Sequence, residues 1–396
     1  MPKISSKGIS MPESPIRKLQ PFADQALKEG KHIYYLNIGQ PDIKTPQKAI
    51  NAVKETDIEI LSYSPSQGFS SYINKLVRYY SNNGININED NLIVTTGGSE
   101  ALSFALGSIT DFGDEIIIPE PFYANYNGFS TACGVKVVPV TSNLDNNFAL
   151  PPITEFESKI TNKTKAILLC NPGNPTGYLY TKEEIEAIAD LALKHDIFIL
   201  ADEVYREFTY DGHKHHSIMS LERLKNHAIM VDSVSKRFSM CGARIGCLVS
   251  KNKDLMKTAM KFAQARLSPP TLAQIASEAA LDVDDQYFES INAEYTKRRN
   301  TLVKGLETIK GVKVANPKGA FYCVVELPVE NTEHFAQWLL EKFEYEGETI
   351  MVAPAAGFYS TPNTGLNQIR IAYVLEQSKL IKSINLLKIA LEEYQK

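Results

Sequence analysis

Between residues 91 and 250, short apolar runs alternate with helical patterns, and this alternation restricts the fold more than any other feature of the chain. Residues 91–95 read as a strand and 99–109 as a helix; strand-like runs follow at 115–119, 135–140 and 166–170. Residues 182–195 place Ile185, Ile188, Ala189 and Leu191 at helical spacing, ahead of further apolar runs at 197–201, 228–231 and 245–250. Strands separated by helices need crossover connections, which build a mostly parallel sheet with helices on both faces. The expected class is therefore α/β.

The last third follows another pattern. A long charged helical stretch at 286–311 precedes short strand-like runs at 312–314 and 321–327, a helix at 334–345, a strand at 368–373 and an amphipathic closing helix at 379–394. Short mixed elements of this kind suggest a smaller α+β domain. The polar, proline-rich segment before Pro46 is expected to pack on it. The division places a large domain at 46–290 and a small domain at 1–45 plus 291–396, and 396 residues with 43% hydrophobic content suffice for both.

Charge and cysteine usage exclude several function classes. The 42 basic and 46 acidic residues are evenly spread, with no basic stripe for nucleic acid and no acidic tail. Five cysteines without a CxxC pair read as reduced thiols of a cytosolic protein. Residues 1–19 lack the apolar stretch of a signal peptide, and no uncharged run reaches the roughly 18 residues of a membrane span. A cytoplasmic protein is expected.

Ligands of parallel α/β sheets sit beyond the carboxyl ends of the strands, so chemical groups just after each strand are the candidates. After 91–95 comes Thr96-Gly97-Gly98-Ser99-Glu100, a diglycine turn into a helix. Its first N–H groups and the Ser99 hydroxyl could bind an anion, although such a turn also serves as a plain tight connection. After 166–170 comes Asn171-Pro172-Gly173-Asn174-Pro175-Thr176-Gly177, a constrained loop that can aim neutral hydrogen-bonding groups at a ligand or act only as a rigid turn. Asp202 ends an apolar strand, where it would be costly without a partner; a protonated ring nitrogen or a helix N-terminus would satisfy it. Arg370 stands inside the apolar strand 368–373 and either grips a carboxylate through its planar fork or forms a structural ion pair.

Lys236 follows the run 228–231 within Ser233-Val234-Ser235-Lys236. A lysine placed there can condense with a carbonyl cofactor, and an arginine and serines beside it suit phosphate oxygens. A solvated surface lysine is the plain alternative.

Taken in order, GGSEAL, NPGNPTG, ADEVY, SxSK with an arginine eight positions on, and IRIAY resemble the class I/II pyridoxal-phosphate aminotransferases of fold type I, those of aspartate type above all. Residues 37–42 and 63–68 match as well, so the resemblance spans roughly residues 30–390. It implies pyridoxal phosphate joined to Lys236 as a Schiff base, with Asp202 on the ring nitrogen and Tyr205 and Asn174 on the phenolic oxygen. Tyr123 would stack on the ring, in place of the tryptophan of many relatives. Gly98, Ser99, Ser233 and Arg244 would hold the phosphate, assisted by Ser235. Arg370, Gly39 and Asn174 would bind the substrate α-carboxylate. Tyr63 would reach the neighbouring subunit's cofactor phosphate, which implies a homodimer with shared active sites.

The implied activity is ping-pong transfer of an amino group between an α-amino acid and an α-keto acid, with aspartate and 2-oxoglutarate as the first expectation. Alanine, aromatic amino acids or kynurenine are alternatives, as is a lyase on the same scaffold; lyases of that type usually carry His where Gly173 stands. An aminotransferase-like transcriptional regulator would need a DNA-binding module, and only about 40 residues precede the matching region. Arg266 is a candidate cation for a second substrate carboxylate, with a structural or interface arginine as its alternative. The cluster His213, His215 and His216 lacks accompanying ligands at metal spacing and reads as an exposed hairpin.

Overall fold

The computed structural model describes residues 2–395. Its strands, in chain order, are β1 (His32–Tyr35), β2 (Leu92–Thr95), β3 (Glu115–Glu120), β4 (Lys136–Thr141), β5 (Thr164–Cys170), β6 (Phe198–Asp202), β7 (Ala228–Ser233), β8 (Gly246–Val249), β9 (Lys313–Val314), β10 (Tyr322–Glu326), β11 (Glu348–Met351), β12 (Ala353–Pro354) and β13 (Gln368–Ala372). Seven form the central sheet in the order β2-β8-β7-β6-β5-β3-β4. All neighbours from β7 to β4 run parallel, whereas β8 is antiparallel to both β2 and β7. The sheet is thus mostly parallel, with one reversed strand.

Side chains alternate across this sheet into two separate cores. Leu168 and Leu200 enter one, while Ile167, Leu169, Ile199 and Ala201 enter the other. Because both faces are covered, the strands carry no polar side and read as uninterrupted apolar runs. The covering helices are locally specified. In Lys182–His195, the Thr181 hydroxyl and the Glu184 carboxylate cap each other's backbone N–H, a reciprocal arrangement that fixes the helix start.

A second, antiparallel sheet has the order β12-β13-β10-β9, and β1 from the N-terminal segment pairs in parallel with β11. A single helix, Asp285–Leu306, runs through residue 290. Helices Gln47–Lys54, Ser70–Asn82, Lys253–Arg266 and Thr271–Ala280 lie outside the elements legible in the sequence.

Candidate active site

A cavity of about 580 Å³ opens where the carboxyl ends of β5, β6 and β7 face β10 and β13. Lys236, Asp202, Tyr205, Gly98, Ser99, Tyr123, Asn174, Ser233, Ser235, Arg244, Gly39 and Arg370 all line it. Tyr63 does not; it lies outside, 79% exposed.

Asp202 ends β6 with its side chain buried. Its Oδ2 accepts a hydrogen bond of 2.8 Å from the Tyr126 hydroxyl, and burial pushes its pKa up to about 6. This carboxyl has been taken out of water without a cation of its own. The Lys236 amine donates to the Gly39 carbonyl at 2.9 Å and lies 3.8 Å from the Cys241 sulfur. The Tyr205 hydroxyl is 2.9 Å from that of Tyr322 and 3.4 Å from Asn174 Nδ2. Burial holds the Tyr205 phenol well above its ordinary pKa, which keeps it protonated as a donor.

Arg370 is 2% exposed, yet its charge meets no carboxylate. It donates to Asn174 Oδ1 at 3.2 Å and to the Asn37 carbonyl, and its guanidinium carbon lies 4.7 Å and 4.9 Å from the ring centres of Tyr322 and Phe358. Its Nε, and the Oδ1 of Asn37 at the same cavity, are buried without hydrogen-bond partners among the described residues. A planar cation left with an unused N–H is shaped for an incoming carboxylate.

At the other side, helix Gly97–Ile109 begins at the cavity with the first-turn N–H groups of a helix start. Gly97 has φ +77°, and a Cβ there would sit 2.6 Å from Arg244 Nη2. Glycine therefore lets the guanidinium lie against the turn. The Ser233 and Ser235 hydroxyls are 2.8 Å apart close by. Tyr123 packs edge-on against Tyr126 with centroids 5.4 Å apart, and Asn125 donates to its hydroxyl at 2.8 Å.

Tyr126 and Tyr322 line the cavity but had no role in the sequence reading. Tyr126 lies three residues past Tyr123, its N–H donating to the Tyr123 carbonyl at 2.9 Å, and that spacing is the signal that could have found it. Tyr322 carried none, because it reaches Tyr205 across 117 positions of chain. For Arg266 the structure favours the structural alternative, and one expectation, the exposed histidine hairpin, needs correction. Arg266 is not a cavity residue: Nη1 pairs with Glu100 at 2.7 Å, and Nη2 donates to the carbonyls of Ser66 and Val94. The histidine segment is not uniformly exposed. His213 is exposed, but the His215 ring sits 3.5 Å from buried Glu203, and burial lowers its pKa well below the ordinary value.

Over residues 31–380 the chain matches the protein family described as aminotransferase class I and II. It is 32% identical over 381 residues to aspartate aminotransferase of Pyrococcus horikoshii, covering 95% of this chain and 94% of that protein. Identity to aromatic-amino-acid aminotransferase 2 of Thermococcus litoralis is 31%, with 96% of each chain covered. The fold matches a structure of alanine aminotransferase from Pyrococcus furiosus with a TM-score of 0.90 at 28% identity, covering 99% of this chain and 100% of that one.

Proposed function

Because the chain belongs to the class I and II aminotransferase family, we propose that it is a pyridoxal-phosphate enzyme that transfers the amino group of aspartate to 2-oxoglutarate in two half-reactions. Aminotransferase activity follows from the family itself; the cofactor in this chain, its residue roles and the substrate pair are the proposal. Relatives named for aspartate, aromatic amino acids and alanine are all similar to it, so the aspartate reading rests on the first of these.

The residues present fit the cofactor. Asp202 is a buried carboxylate in need of a cation, and a protonated pyridine nitrogen is one. Gly98 and Ser99 at the helix start, with Ser233, Ser235 and Arg244, form a cradle suited to a phosphate. Tyr205 and Asn174 would donate to the phenolic oxygen, and Tyr123 would pack on the ring. Bound there, pyridoxal phosphate supplies an electron sink for negative charge developing at the amino acid's Cα.

The chain does the remaining work. Arg370, helped by Asn174 and the close approach allowed by Gly39, would orient the α-carboxylate; a Cβ on Gly39 would fall 1.8 Å from the Tyr322 hydroxyl. The Lys236 amine would remove the Cα proton and later return one. A homodimer with shared sites is supported by Tyr63, which is exposed and does not line its own cavity, and by the exposed side chains of Ile58, Ile60 and Leu61 near it in sequence. We also divide the chain into the two domains given above, and we place it in the cytoplasm. No helix among the described residues is long and apolar enough to cross a membrane.

The observation that carries the reading is the cavity shared by the Lys236 amine, the cation-deficient Asp202 and the carboxylate-free Arg370. Absorbance spectra of the purified protein, taken as amino acids are added one at a time, test it. Conversion from the aldehyde to the amine chromophore by aspartate is expected. Conversion only by alanine, aromatic amino acids or kynurenine would replace the substrate assignment, and release of pyruvate with sulfide from cysteine would indicate a lyase.

A further inference from the structure

The charged side chains lining the cavity do not balance. Arg17, Lys236, Arg244 and Arg370 face a single carboxylate, Asp202. The reading above gives Arg244 a phosphate, Arg370 an α-carboxylate, and Lys236 with Asp202 the two ends of the cofactor ring. Arg17 is left over. Unlike Arg370 it is exposed, and it forms no ion pair among the described residues, whereas its neighbour Lys18 pairs with Glu333.

Arg17 is not on a loose tail. Its N–H donates to Ser14 O at 3.1 Å, and its carbonyl accepts from Gln20 N at 3.0 Å, which ties the turn to helix Gln20–Lys28. Leu19 anchors that helix start in the core. On the other side, Pro15 occupies the space a side chain on Gly357 would need, since a Cβ there would meet the Pro15 ring at 2.4 Å. Ile16 packs on the cluster containing Phe358, the same ring that lies 4.9 Å from the Arg370 guanidinium. Arg17 and Arg370 are therefore mounted on one scaffold, at the same cavity, with Ile16 and Ile38 as apolar wall.

We infer that Arg17 binds the distal carboxylate of a dicarboxylic amino or keto acid whose α-carboxylate is held by Arg370. This rests on the aminotransferase site proposed above and gives it a substrate class. Two carboxylates match the two unpaired arginines, and a short methylene chain suits the apolar lining that Ile16 and Ile38 give the cavity.

The test compares the pyridoxal-phosphate-loaded protein with Arg17→Gln and Arg17→Lys. One readout is the ratio of kcat/KM for glutamate or aspartate to that for alanine. The second, independent of turnover, is the calorimetric affinity for glutarate and succinate, dicarboxylates that cannot react. Arg17→Gln is expected to lower both by about 10- to 100-fold, as loss of a charge-assisted contact does, with partial recovery in Arg17→Lys. An unchanged ratio, or an equal fall for all donors with glutarate affinity preserved, overturns the assignment of Arg17. If no amino acid converts the chromophore of the unaltered protein, the underlying site reading fails first, and the inference falls with it.

Discussion

Tyr126 donates its phenolic hydrogen to Asp202 Oδ2 at 2.8 Å, the one side-chain hydrogen bond among the described residues that supports this buried carboxylate. A donor to the ionised form favours ionisation, so the bond opposes the upward push of burial. Tyr126→Phe should raise the Asp202 pKa further above 6 and weaken its hold on a protonated ring nitrogen. We expect pyridoxal phosphate affinity to fall about 3- to 10-fold, part of the roughly 1.5–3 kcal/mol that one hydrogen bond to a charged group is worth, because the bond is present with and without the cofactor. The acid limb of the kcat/KM profile should move to higher pH. Spectrophotometric cofactor titration from pH 5.5 to 8 would show both, and an unmoved acid limb would speak against the coupling.

Asp202 also sets a pH dependence of stability in the cofactor-free protein. Its folded-state pKa is about 6, above the ordinary Asp value near 4. Between those values the folded chain holds a proton that the unfolded chain has released. Stability therefore falls as pH rises through this window, and the full penalty stands above pH 6. The gap corresponds to roughly 3 kcal/mol. Asp202→Asn should stabilise the cofactor-free protein at pH 8 by up to about that amount and progressively less toward pH 5. With cofactor bound the order should reverse, because the carboxylate then has its cation. Urea unfolding at the two pH values, with and without pyridoxal phosphate, measures each limb.

Behind the cavity, a buried charge network is built from the residues next in sequence to the site. Asp232 precedes Ser233, Arg237 follows Lys236, and Glu203 and Arg206 follow Asp202 and Tyr205. Asp232 pairs with Arg237, lies 3.8 Å from Arg206 Nε and accepts from the Tyr80 hydroxyl at 2.7 Å; Arg206 also reaches Glu203 at 2.5 Å. Burial pushes Asp232 upward, but the two guanidiniums outweigh it and hold the carboxyl below its ordinary range. Arg237→Gln removes one of those two cations from Asp232, the ion pair that Arg206 does not replace. Breaking a buried pair in this way costs about 3–5 kcal/mol. The expected outcome is a much lower denaturant midpoint at unchanged m-value, and a loss under about 1 kcal/mol would mean the network relaxes or admits water.

How much of this was legible in the sequence depended on distance along the chain. Lys236, Asp202, Asn174 and the Gly97-Gly98 turn each lie just past an apolar run, so strand-end logic finds them locally. Tyr126 needed knowledge of which helix face looks into the cavity. Tyr322 needed the pairing of two sheets far apart in sequence. The reversed direction of β8 was invisible because Gly246–Val249 has the same apolar composition either way, and only its pairing with β2 and β7 sets the direction. Arg17 sits in a polar segment whose composition resembles any surface turn; its docking through Pro15 and Ile16 appears only in three dimensions.

Arg266 shows the reverse case, a residue type open to two roles in the sequence and settled by its place as a structural arginine. Its guanidinium is spent on Glu100 and on the carbonyls of Ser66 and Val94, and the same Glu100 oxygen accepts the Thr96 N–H at 2.8 Å at the start of the glycine turn. Arg266 thus braces the turn from outside the cavity. Arg266→Ala leaves Glu100 without its cation and two carbonyls without their donor, a cost of about 1–3 kcal/mol. Stability measured by thermal unfolding should fall accordingly. The ratio of kcat/KM for aspartate to that for alanine should stay within about threefold, because no substrate group is lost; selective loss of aspartate would return Arg266 to the substrate site.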